Sequence, residues 1–191
     1  ENILSPMILS RSSGNNVVLG IVNACMGIGG IIGGLLVSVK KESRKKANMI
    51  YISAAVSFLL GDWTMAIGRN VFFWSFAAFA ASLPIPFITA EQNVILYKKI
   101  PEKMQGRVFA VRNAIQYSTI PFGILLGGYL ADYIFEPFMR SDADIVSFLE
   151  MLVGNGAGSG MAVMFLCTGI CGFAMSILSL RSKKIQELNE C

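Results

Sequence analysis

Glu91 and Arg112 stand within or at the edge of long apolar runs of this 191-residue chain, and each has amides beside it. Gln92 and Asn93 follow Glu91; Asn113 and Gln116 follow Arg112. A charge at the centre of a membrane-spanning helix costs about 2.5–3.5 kcal/mol on insertion scales, so it calls for a partner or a wet path. Glu91 lies seven residues before Lys98, about 10 Å along a helix at about 1.5 Å per residue. Arg112 lies five residues beyond Arg107, about 7–8 Å by the same rise. The two can therefore meet at similar depth if their helices are neighbours, and Arg112 shares a helix face with Gln116 four residues on. Two chemistries fit. One is an ion pair that neutralises two costly charges and fixes helix packing. The other is a carboxylate that takes up and releases a proton in a translocation path or cytoplasmic gate, as it loses and regains its partner.

Other chemistry is sparse. There is no histidine. Cys25, Cys167 and Cys171 lie within apolar runs and Cys191 ends the chain, so "CTGIC" lacks the further ligands of a metal framework. "GNGAGSG" at 154–160 has the glycines of a phosphate loop but follows no strand, and reads as a flexible helix entry. No Walker lysine motif or nucleophile–base set occurs, so the expectation is a protein with no catalytic residues, no metal and no cofactor: not an enzyme. Asp62, beside Trp63, and Asp132 read as interfacial charges near an aromatic belt.

The elements that must position Glu91 and Arg112 follow from the solvent. Hydrophobic residues make up 54% of the chain and charged residues 15%, against about 25% charged in soluble domains; the mean hydropathy is +0.60. The charges are clustered, leaving apolar runs long enough for the roughly 20 residues of a spanning helix. The runs are too long for barrel strands and lack their alternation. The expected fold is an all-α integral membrane bundle over residues 1–184, with complete spans at 17–39, 47–68, 70–96, 108–130 and 157–180. Residues 2–10, too short to cross, read as the end of a sixth span whose beginning is missing, and 185–191 as a cytoplasmic tail. The chain is thus expected to be a fragment of a larger multi-pass protein, with the lipid bilayer as its first partner.

Lysines and arginines set the orientation. Lys40, Lys41, Arg44, Lys45 and Lys46 follow the first complete span; Lys98, Lys99, Lys103 and Arg107 follow the third; Arg181, Lys183 and Lys184 follow the last. These connections fall on one side, while the other holds Arg11, Arg69 and Arg140. The positive-inside rule makes the rich side, and the C-terminus, cytoplasmic. It also accounts for the net charge of +4 without nucleic acid.

Within the spans, small residues recur four apart: Gly29 with Gly33, Gly30 with Gly34, and Gly123 with Gly127. This spacing lets helix backbones approach closely in lipid, either as simple packing or as a sliding surface between moving halves. Pro84 and Pro86 put a break in the third span, where a cavity-lining broken helix is expected, and Pro121 a kink in the fourth. Residues 100–107 read as a cytoplasmic connection broken by Pro101 and Gly106. On the far side, Ile145, Phe148, Leu149 and Leu152 form one face of a short helix starting near Ser141 or Asp142. It is expected along the membrane surface, or alternatively over the bundle mouth.

Together, "PEKMQGRVFAVRNAI" (101–115), "PFGILLGGYLADYIFEPFM" (121–139) and "GNGAGSG" resemble the C-terminal six-helix half of a major facilitator superfamily transporter, within the bacterial macrolide-efflux and enterobactin-exporter branch. The resemblance covers essentially the whole chain. It implies that 2–10 ends the seventh helix, that the complete spans are helices eight to twelve, and that Glu91 lies on a cavity-lining helix while Asp62 does not. The loop after "GGLLVSV" matches the second copy of the family's gate motif. Gly34 and the basic cluster are kept there, but Ser38 stands about where an acid is expected, which puts a charge-relay role in doubt. The implied function is export of small amphipathic compounds, in exchange for protons, across a bacterial cytoplasmic membrane. It requires the N-terminal half, because parallel repeats place the substrate site between halves. The alternative is a non-transporting scaffold or receptor-like membrane module.

Overall fold

Consecutive helices and short turns make up the computed structural model, which describes residues 4–40, 46–141 and 144–182. Lys41, Arg44, Lys45, Asp142, Lys183, Lys184 and the tail 185–191 lie outside the described residues. Helix α1 (Leu4–Arg11) is followed by α2 (Asn16–Val39), whose first turn is capped by the Asn15 side chain accepting from the Val17 N–H at 3.0 Å. α3 (Lys46–Val56) passes through a π-helical turn (Ser57–Asp62) into α4 (Trp63–Ile67). α5 (Val71–Ser82) and α6 (Ile85–Lys99) share one span, interrupted at Leu83–Pro84. α7 (Glu102–Leu130) continues through a second π-helical turn (Ala131–Phe135) into α8 (Glu136–Phe138). α9 (Asp144–Val153) and α10 (Ser159–Arg181) complete the chain. Among the described residues, five helical stretches are long and apolar enough to cross a membrane: Asn16–Val39, Ala47–Ile67, Val71–Lys99, Glu102–Phe138 and Ser159–Arg181. The protein is an all-α membrane protein.

The fourth span departs from its expected limits of 108–130. Pro101 is extended (φ −55°, ψ 140°) and the helix begins at Glu102, running straight through Gly106. A proline at the residue before the helix loses nothing, because the first N–H groups have no intrahelical partner. Pro121 does not end the helix either. The continuous stretch of 37 residues is about 55 Å long, more than the roughly 40–45 Å of a whole bilayer, so it must tilt or extend past the membrane.

Close packing centres on α2 and α5. Gly29 and Gly33 are buried in this seam. A Cβ on Gly29 would lie 2.7 Å from the Phe79 carbonyl, and one on Gly33 would collide with the Leu83 carbonyl, so the seam admits only glycine. Gly30, Gly34 and Gly123 face open space, and Gly127 is buried. The break at Pro84 and Pro86 abuts this seam, with Leu83 and Pro86 against Gly33. Ser82 and Pro84 are buried, and the Ala81 carbonyl accepts the Ser57 hydroxyl at 2.8 Å. A neighbouring helix, not water, meets that carbonyl beside the break.

The core is asymmetric along the membrane normal. Met7 and Ile8 of α1, Val22 of α2, Met65 and Ala66 of α4, Trp74 of α5, Val153 of α9 and Ala162 of α10 belong to one buried cluster. These positions lie toward the C-terminal ends of α1, α4 and α9 and the N-terminal ends of α2, α5 and α10. They define the lysine-poor end of the bundle. By contrast, α6 has no buried residue and α7 has only Gly127. The amphipathic helix is α9, and it packs on the bundle through Val146 and Val153, with Leu149 and Leu152 beside them. Ile145 and Phe148 point away, so the buried face is rotated from the expected 145/148/149/152 stripe. The apolar residues of α9 nearly encircle it, and the core selects one side.

Candidate functional site

Glu91, Gln92 and Asn93 follow one another on α6, so helix geometry points each about 100° from the next. Glu91 turns toward the end of α2. Its carboxylate lies 3.6 Å from the Lys40 ammonium, with the Glu91 side chain 13% exposed and that of Lys40 30%. Lys40 also sits 5.5 Å from the centre of the Phe87 ring, a cation–π contact. It terminates α2, where a positive charge suits the partial negative end of the helix dipole.

Gln92 and Asn93 turn toward α7. Arg112 donates from one guanidinium nitrogen to Asn93 Oδ1 at 2.8 Å and from the other to Gln92 Oε1 at 3.0 Å. The expected Glu91–Arg112 pair is therefore not formed: one residue of helix rotation sends the carboxylate to Lys40 and leaves two neutral amides to hold the guanidinium. Among the described residues Arg112 has no carboxylate partner. Around this fork, Tyr97 and Phe109 stack with ring centres 4.8 Å apart, and the Gln105 amide donates to the Ile100 carbonyl at 3.1 Å. An apolar groove of about 500 Å³ lined by Val108, Val111 and Ile115 runs beside Arg112.

Asn113 and Gln116 do not join the cluster. Both are exposed on α7, and their side-chain amides have no hydrogen-bond partner among the described residues. They lie on a helix whose apolar residues are equally open, with Val111 59%, Ile115 60% and Tyr117 67% exposed. The site thus joins Glu91, Gln92, Asn93 and Arg112, adds Lys40, and leaves Asn113 and Gln116 on an open face. Lys40 was legible as part of a basic rim, but nothing in its spacing singled it out from its neighbours. No three His, Cys, Asp or Glu side chains gather among the described residues to hold a metal ion.

The lysine-poor end has its own polar framework, which spacing alone did not reveal. Arg11 donates to the carbonyls of Gly68 at 3.2 Å and Val153 at 2.5 Å, and more weakly to Ala66 at 3.5 Å, so α1, α4 and α9 meet at one guanidinium. Burial, and then the nearby Arg69 charge, push the Arg11 pKa below the usual arginine value, while Glu136 acts the other way. Arg69 donates to the Met151 carbonyl at 3.1 Å, and the Trp74 indole N–H to Gly68 at 2.9 Å. The Glu136 carboxylate accepts from the N–H groups of Gly158 at 3.2 Å and Gly160 at 3.0 Å, capping α10 from another helix. The "FEP" and "GNGAGSG" segments are thus physically joined. Gly158 is left-handed (φ +84°), and a Cβ on Gly160 would lie 2.5 Å from the Glu136 nitrogen. Asp62, near the end of the π-helical turn, faces the Thr168 hydroxyl at 3.4 Å on α10, remote from the Glu91 cluster.

No protein-family model matches the chain, and no solved structure matches it. It is 27% identical over 138 residues to Macrolide efflux protein A of Streptococcus pyogenes, and equally to the same-named protein of a serotype M6 strain. The alignment covers 70% of this chain and 33% of each relative, so the chain spans about a third of the length of the curated relatives it matches. The protein is an all-helical, multi-pass membrane protein distantly similar to an efflux protein.

Proposed function

We propose that the chain is the C-terminal half of a major facilitator superfamily transporter of a bacterial cytoplasmic membrane. It exports small amphipathic compounds by alternating access, as a proton antiporter, with its lysine-rich end and C-terminus in the cytoplasm. The observation that carries this reading is the open polar face of α7. Gln116 lies about 12 Å along the helix from residue 108, at about 1.5 Å per residue, so its depth is that of the hydrocarbon. An amide that faced lipid there would lose its hydrogen bonds to water without replacement. A second half facing Asn113 and Gln116 across a wet path removes that cost, and the Arg112 fork then stands at the cytoplasmic mouth of the path. The distant similarity to an efflux protein supports the same reading.

In this scheme Glu91 exchanges Lys40 for a proton when α6 moves against α2, and the Arg112 fork opens with it. The test is reconstitution of the complete transporter in liposomes with an imposed pH gradient. Glu91→Gln should reduce gradient-driven movement of the substrate at least tenfold while leaving the protein folded. Transport like that of the unmodified protein would make the Lys40–Glu91 pair a packing element only. A full-length protein with no second six-helix half would remove the transporter reading itself.

A further inference from the structure

An apolar groove of about 500 Å³ lies between α4 and α5 near the lysine-poor end. Leu59, Trp63 and Ile67 recur four apart along one wall, and Phe73 forms the other. All four are partly open, at 38%, 38%, 44% and 49% exposure, so the concavity is unfilled by protein. Its upper rim is Arg69, which also borders a polar recess of about 330 Å³ shared with Arg11 and Asn155. Apolar surface is ordinary on a membrane protein; an apolar channel that ends on a pair of guanidiniums is not.

Three features converge on one occupant. First, length: the helical wall from Leu59 to Ile67 covers eight residues, about 12 Å at about 1.5 Å per residue, most of the roughly 15 Å depth of one leaflet, and Arg69 lies just beyond its end. Second, charge: neither Arg11 nor Arg69 has a carboxylate in salt-bridge contact among the described residues. Their bonds to Gly68, Val153 and Met151 carbonyls hold the two cations near each other, and the Glu136 carboxylate offsets Arg11 in part from beyond salt-bridge distance, leaving Arg69 as the uncompensated charge. Third, spare donors: Arg69 spends one N–H on Met151, and a guanidinium has five. Trp63 stands between the two zones, at a level suited to the interfacial belt.

We propose that this groove is a binding site for an anionic phospholipid, with an acyl chain along Leu59, Trp63, Ile67 and Phe73 and the headgroup phosphate on Arg69. The site belongs to the leaflet at the lysine-poor end, which is the outer leaflet in the orientation proposed above; the inference does not depend on transport. A zwitterionic headgroup carries its own cation beside the phosphate and gains less from the arginine pair.

Trp63 makes the site readable, because the chain's only other tryptophan, Trp74, is 3% exposed. The purified full-length protein is placed in phosphatidylcholine nanodiscs, and tryptophan emission is followed as either dibrominated phosphatidylglycerol or dibrominated phosphatidylcholine is introduced. The component of quenching that Trp63→Phe removes should respond to the anionic lipid at about one fifth the mole fraction needed for the zwitterionic one, since one basic residue near the surface gives about fivefold. Arg69→Gln should abolish this preference and Arg69→Lys should retain most of it. Millimolar inorganic phosphate should not displace the brominated lipid. Equal quenching by both lipids, a preference that survives Arg69→Gln, or displacement by free phosphate would each overturn the assignment.

Discussion

At the lysine-poor end, Arg11 draws three backbone carbonyls from two other elements onto one guanidinium; at the lysine-rich end, Arg112 reaches only two side-chain amides on one neighbouring helix. The first arrangement satisfies carbonyls at the C-terminal ends of α4 and α9, which would otherwise lie unpartnered beside the buried cluster. The second joins partly buried side chains of two helices in which Gly127 alone, among the described residues, is fully buried. Backbone groups that lose a partner next to a core have no easy substitute, whereas side-chain amides within reach of water can exchange their partners for it. The comparison teaches that one end is tied through backbone groups beside the core and the other through side chains that are partly open to solvent.

The sharpest way to break the comparison is Arg11→Met, which keeps the bulk of the side chain and removes the donors. Leaving the carbonyls of Gly68 and Val153 without their charged partner should cost about 3–5 kcal/mol. Unfolding followed in detergent micelles should shift accordingly, and amides in α1, α4 and α9 should lose hydrogen-exchange protection together. A shift no greater than that of Arg112→Met would erase the difference between the ends. The next effect in size concerns α10. Glu136→Ala removes the carboxylate that caps its first turn, for an expected loss of about 1–2 kcal/mol. Glu136→Gln should cost less, since an amide oxygen still accepts. Both should expose the amides of 158–160 to exchange, and unchanged protection there would show that the cap is incidental.

How much of this was legible beforehand differs between the ends in the same way. The spans were readable because lipid imposes a single rule, an unbroken apolar length, and the charge clusters between them are all that interrupts it. The candidates at the lysine-rich end were found individually for the same reason: Glu91 and Arg112 are expensive in that solvent. Their pairing was not readable, because neighbouring helix positions differ by about 100° and sequence gives depth without rotation. Gly106 misled for a simpler reason: a glycine weakens a helix by about 1 kcal/mol without ending it, and α7 runs through it. The Arg11 and Glu136 contacts were the least legible of all. Their partners are backbone groups 55 to 142 residues away for Arg11 and 22 to 24 for Glu136, and any residue type supplies a carbonyl or an N–H. The left-handed glycine loop was the one available signal, because the positive φ at Gly154, Gly156 and Gly158 marks a chain bent around something.

The smallest expected effect is also the one that sharpens the comparison most. Lys40 and Glu91 are 3.6 Å apart and partly open to solvent, so a double-mutant cycle through Lys40→Met and Glu91→Gln should return a coupling of about 0–1 kcal/mol in stability. If the pair serves only to hold α2 against α6, its removal should change transport no more than it changes stability. If it is the contact that must part when the lysine-rich end opens, the two readouts separate: stability barely moves, while the single variants alter gradient-driven transport by far more than the coupling energy accounts for. A weak pair suits that role, because a contact that breaks once per turnover adds its own strength to the barrier. A coupling of several kcal/mol would instead place Lys40 and Glu91 with Arg11, as part of a bundle braced at both ends.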